Sequence, residues 1–171
     1  MAYWLIALAT LCRLIPHPPN FTPVLAVALF GGAMLPRRIA LAVPLVAMAV
    51  SDVALGYPFG WMHLVVYGCF LAGVGLGRLL GVRSTWRRRI PAALTGSVIF
   101  FVVTNFAVWL DPSSFYERTF EGLVGCYVMA LPFFRNSLLG DLFWSVSLFG
   151  LHDLARAWTH SRPADAQEVD S

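Results

Sequence analysis

Four prolines fall within the eight residues from Pro16 to Pro23, in the stretch Arg13-Leu-Ile-Pro-His-Pro-Pro-Asn-Phe-Thr-Pro-Val24. Proline lacks a backbone N–H and biases the residue before it away from helical geometry, so this stretch cannot lie inside a helix. Long apolar runs flank it on both sides. Lipid cannot satisfy the backbone groups of a non-helical segment, so such a segment must sit at a membrane surface or line a protein-walled cavity. A rim or lid facing a ligand is favoured over a plain turn, with His17, Asn20 and Thr22 projecting from a stiff frame.

The membrane premise rests on composition. Of the 171 residues, 58% are hydrophobic and 12% charged, whereas a soluble domain is about a quarter charged. The chain is expected to be an all-α integral membrane bundle of about six transmembrane helices. A single domain is expected over residues 1–152, followed by a polar cytoplasmic tail, 153–171, disordered at its end. All twelve basic residues are arginine. With no lysine there is neither a Schiff-base nor a P-loop amine, which excludes an ordinary P-loop ATPase. Cys12, Cys69 and Cys126 lie in apolar runs without paired spacing and read as small buried hydrophobes.

Apolar runs bounded by charge, proline or glycine place helices over roughly 2–15, 22–35, 39–55, 61–81 and 90–110. An apolar stretch over 122–134, broken at Pro132, precedes a sixth helix over 135–152. The first three helices are short for a hydrocarbon core that needs about 20 residues. Alternating spans put nine arginines (Arg37, Arg38, Arg78, Arg83, Arg87, Arg88, Arg89, Arg156, Arg162) on one side and three (Arg13, Arg118, Arg135) on the other. The excess of basic loops predicts both termini in the cytoplasm, with the Pro-rich loop outside.

Polar residues within the spans need a partner or a task. Asp52 ends the third helix. His63 and Tyr67 share a face of the fourth, and His63 is placed to pair with Asp52. Asn105 must face inward, since leaving it unbonded in lipid costs several kcal/mol, on the order of 2–7; Trp109 lies one turn beyond it. Arg135 and Asn136 open the sixth helix, with an anionic solute, Asp141 or Asp52 as counter-ion to Arg135. The substrate-binding set is therefore His17, Asn20, Thr22, Asp52, His63, Tyr67, Asn105, Trp109, Arg135 and Asn136. No catalytic residue, metal site or cofactor is expected, and no nucleic-acid partner. The glycine ladder Gly73/Gly77/Gly81, with Gly75, predicts close helix approach.

The block Pro16-His17-Pro18-Pro19-Asn20-Phe21-Thr22-Pro23, with Ser51-Asp52, Tyr67-Gly68, Thr104-Asn105-Phe106 and the run from Phe133 to Asp141, resembles an uncharacterised bacterial family of small proteins assigned to transport. The resemblance extends to about Gly150, and the Pro-rich block is its most specific part. In plan that family is similar to the S components of energy-coupling factor (ECF) transporters. Those are six-helix bundles that hold a vitamin or metal near the outer face under loops one, three and five. The resemblance implies uptake of a vitamin-like or metal-containing solute, and as partners the lipid bilayer and an ECF-type coupling subunit with its ATPases. Ala2, Ala7 and Ala9 do not form the four-residue ladder that S components use to dock that subunit. The alternatives are a non-transporting membrane scaffold, whose polar residues only pack helices, and a membrane-embedded enzyme using Asp52 and His63 as acid and base.

Overall fold

The computed structural model describes residues 1–160. Among them are six helices: α1 (Ala2–Leu14), α2 (Val24–Met34), α3 (Arg37–Ala54), α4 (Trp61–Leu80), α5 (Trp86–Leu110) and α6 (Phe120–His160). The architecture is all-α, as expected. Three helices, α4, α5 and α6, are long and apolar enough to cross a membrane; α1 and α2 are apolar but shorter.

Prolines and glycines set most boundaries. Pro23 and Pro36 stand at the N-caps of α2 and α3, and Leu35, held extended before Pro36, closes α2. Gly81 ends α4 with φ 70°, a left-handed conformation that costs glycine little. At the start of α4 the Gly60 N–H donates to His63 Nδ1 at 3.1 Å, which caps the helix from within its first turn.

Two boundaries differ from the sequence reading. Arg87, Arg88 and Arg89 belong to α5, which starts at Trp86. The stretch 122–134, the expected sixth helix and the first part of the expected tail form one 41-residue helix, α6. At about 1.5 Å per residue it is roughly 60 Å long. Pro132 does not break it; neighbouring helices and local adjustment accommodate a missing backbone donor in such a setting. The disorder expected toward the C-terminus concerns residues outside those described.

Helix α2 is the axis of the bundle. It touches every other helix, and each of its residues except Met34 is buried. A helix enclosed on all sides meets no lipid, so its eleven residues need not match a bilayer's thickness. Backbone-to-backbone packing against α4 makes this possible. A Cβ on Gly77 would lie 2.0 Å from the Leu29 carbonyl oxygen, and one on Gly32 would lie 2.2 Å from that of Val74. Gly73 meets the Leu25 side chain, whereas Gly75 and Gly81 face open space. Only Gly73 and Gly77 of the expected ladder therefore serve the contact.

The short α2 creates a recess. Leu25, near its start, packs against Gly73, twelve residues into α4. At about 1.5 Å per residue, α4 rises roughly 18 Å past this level. Loop one, residues 15–23, thus lies between taller helices. Gly140 of α6 abuts Phe21, whose ring stands 5.9 Å from that of Phe143.

Candidate functional site

Loop one keeps its shape through local bonds. The Phe21 N–H donates to the Pro18 carbonyl at 3.0 Å, and the His17 ring Nδ1 lies 2.7 Å from the Ile15 carbonyl oxygen. Asn20 sits at the apex with φ 64°, the one non-glycine residue at positive φ among those described. Asparagine tolerates this region better than most residues, but at a cost.

Three cavities surround loop one, and Asn20 and Phe100 line all of them. The widest, about 390 Å³, also meets His17, Thr22, Met48 and Phe70. A second, about 140 Å³, lies between α5 and α6 beside Thr104, Asn105 and Ser137. The third, about 40 Å³, is a narrow end pocket closed by Leu25, Ser137 and Asp141. The four residues Asn20, Thr22, Phe70 and Phe100 are common to the widest and the narrowest, so the two form one crevice.

Asp141 is 6% exposed. Its Oδ2 accepts a 2.7 Å hydrogen bond from the Ser97 hydroxyl. Its Oδ1 has no hydrogen-bond partner among the described residues.

A second polar cluster lies beside the crevice. The Arg13 guanidinium donates to Asp52 Oδ1 at 2.7 Å, and the Tyr67 hydroxyl donates to Asp52 Oδ2 at 2.8 Å. The pairing expected between Asp52 and His63 is present only as a longer contact, 3.8 Å from Nε2 to Oδ2. Because His63 Nδ1 accepts from Gly60, the proton of the neutral ring sits on Nε2, facing Asp52. Arg13, Asp52, Tyr57 and His63 line a further crevice of about 290 Å³. Asp52 thus ties α1, α3 and α4 together with both of its oxygens engaged.

The remaining expected site residues are dispersed. Asn105 donates to the Phe101 carbonyl within its own helix while lining the crevice between α5 and α6. The Trp109 indole donates to the Glu117 carbonyl and closes the α5–α6 loop. Arg135 is exposed and pairs with neither Asp52 nor Asp141; it lines none of these cavities, and neither does Asn136. Asp52 takes Arg13 as its counter-ion instead. The sequence reads Arg13 only as one of three arginines on the outer side, although its place in the last turn of α1 is the available signal.

At the other end of the bundle, Arg89 is 3% exposed. Its guanidinium forks onto both oxygens of Asp153, receives the Ser84 hydroxyl oxygen as acceptor to Nε at 3.2 Å, and lies 4.6 Å from the Phe149 ring centre. The sequence reads Asp153 as the start of the tail; the structure places it within α6.

The chain belongs to a family of unknown function, DUF6580, which matches residues 1–164. No curated protein and no solved structure matches it.

Proposed function

We propose that this protein crosses a membrane six times and holds a small solute in the crevice beneath loop one, as the binding component of an uptake system. The observation that carries the reading is the position of Asn20, strained at φ 64° and lining all three cavities around the loop. Strain of this kind persists only where surrounding structure enforces it, and it gathers at ligand-binding sites. His17, Asn20 and Thr22 in the widest cavity, with Asn105 and Ser137 in its neighbour, supply polar groups beside apolar walls, a mixture that a small-molecule site uses.

Charge supports an outward-facing crevice. Arg37, Arg38, Arg78, Arg83, Arg87, Arg88, Arg89 and Arg156 lie toward the end opposite loop one, where α1 begins and α6 finishes. Basic residues favour the cytoplasmic side, so both termini face the cytoplasm and the crevice opens outward. The similarity in plan to ECF S components extends the reading to a coupling subunit with ATPases. Tyr3 and Trp4, 86% and 80% exposed on α1, offer an apolar surface to such a helix or to lipid.

A scaffold is the second reading. The full engagement of Asp52 by Arg13 and Tyr67 favours it, because a carboxylate so occupied needs no ligand. Native mass spectrometry of the gently purified protein separates the two. A co-purifying small molecule, lost when Thr22→Trp fills the crevice, supports binding. A protein that stays free of solute after incubation with vitamins and metals favours the scaffold.

A further inference from the structure

From Asp141 we infer that the solute carries a protonated amine, which enters the narrow end of the crevice and pairs with the free carboxylate oxygen. The inference rests on the crevice being a solute site, as proposed above.

Asp141 is more than nine-tenths buried, and among the described residues its only hydrogen-bond partner is one neutral hydroxyl. A buried carboxylate lacking a positive partner is among the costliest arrangements a protein can hold, more so inside a membrane. No basic group among the described residues bonds it. Arg13 is committed to Asp52 and Arg89 to Asp153, while Arg135 is exposed and unpaired among the described residues. His17 lines the wide part of the crevice, and its ring is held at the Ile15 carbonyl. Asp141 is then completed either by a proton of its own or by a positive charge from outside the chain, and the pocket that opens beside it points to the second.

The shape of the space selects which cation. The end pocket at Asp141, about 40 Å³, admits an ammonium group and no ring. It opens past Asn20, Thr22, Phe70 and Phe100 into the crevice of about 390 Å³, whose walls include Val24, Met48 and Val66. An ammonium head on a short arm, followed by an apolar or aromatic body, fills both parts. A multivalent metal ion fits poorly, since no group of three or more histidine, cysteine, aspartate or glutamate side chains gathers among the described residues.

Three probes of matched shape test this on the full chain in detergent: 2-phenylethylamine, 2-phenylethanol and phenylacetate. Binding is read by the thermal unfolding shift and by calorimetry at neutral pH. The amine should bind at least tenfold more tightly than the alcohol, and phenylacetate should not bind. Asp141→Asn keeps the side-chain shape and the Ser97 contact, and should abolish the preference for the amine. An unchanged preference in that variant, or failure of the amine to bind, overturns the inference. If alcohol and amine bind equally and both are lost in Thr22→Trp, the crevice reading stands and the ammonium inference falls. If bare sodium ion gives the same Asp141-dependent shift as the amine, the site takes an inorganic cation and the inference again falls.

Discussion

Gly77 and Leu29 meet backbone to backbone: a Cβ on Gly77 would stand 2.0 Å from the Leu29 carbonyl oxygen and 3.0 Å from the Ala33 nitrogen. The central helix can lie this deep only because α4 offers no side chain there. Gly77→Ala should therefore push α2 and α4 apart and destabilise the bundle by more than the roughly 1–3 kcal/mol typical of overpacking, since backbone cannot rotate away as a side chain can. Gly75→Ala, on the same helix but facing open space, should be neutral or slightly stabilising through helix propensity. Thermal unfolding of the two variants in detergent provides the comparison; equal effects would mean that α2 is not seated against α4.

The ion pair of Arg13 and Asp52 makes a prediction about role. Asp52 is 4% exposed, and removing either member of such a pair strands a buried charge, at a cost of about 3–5 kcal/mol. Arg13→Met and Asp52→Asn should each lower stability strongly, while the double variant should recover much of the loss. A cycle of this kind isolates the coupling between the two residues. Arg13 lines the wide part of the crevice, whereas Asp52 lines none of the three cavities around loop one. Ligand binding should therefore be kept in the folded Asp52→Asn protein, and its loss there would return Asp52 to the ligand site.

These two contacts mark the boundary of what the sequence discloses. The Pro-rich loop, the short early helices and the inward polar positions on α4 and α5 are legible because each follows from a local rule: proline geometry, span length, the cost of a polar group in lipid. The partner of Asp52 is not local. Arg13 lies 39 residues away, and the two meet only because α1 runs beside α3, with Thr10 bonded to the Ala47 carbonyl one turn earlier. Likewise Asp153 follows the last strongly apolar run and so reads as tail, yet Arg89, 64 residues away, draws it into the bundle and α6 continues past it. The sequence marks Asp141 only as a counter-ion for Arg135. Its importance comes from an absence of partners, which no pattern of residue types records.

Asn20 separates backbone strain from recognition. Asn20→Gly should leave stability unchanged within about 1 kcal/mol, because glycine adopts φ 64° freely. Asn20→Ala should cost about 1–2 kcal/mol, the penalty of the left-handed region for an ordinary residue. Both variants remove the amide and should weaken binding of 2-phenylethylamine alike. Calorimetry alongside thermal unfolding gives the two readouts. Retained binding in Asn20→Gly would reduce Asn20 to a turn residue.

The contact between the start of α4 and the end of α5 is governed by Asp111, and its pH dependence has a definite sign. The hydroxyl and N–H of Ser113 donate to one carboxylate oxygen at 2.6 and 2.8 Å, and the Trp61 indole donates to the other at 2.9 Å. These bonds, those from Ser113 first, hold the Asp111 carboxyl below its ordinary value of 3.8. A depressed carboxylate contributes to stability above its unfolded value and loses that contribution as pH falls through its folded one. The link between Trp61 and Asp111 should therefore be complete at neutral pH and release only below about pH 4. The Trp61 contribution to fluorescence, taken as the difference between the protein and Trp61→Phe, should be flat from pH 8 to pH 5 and change below it. Asp111→Asn should remove that step, and a step that persists in Asp111→Asn would show that another group governs the contact.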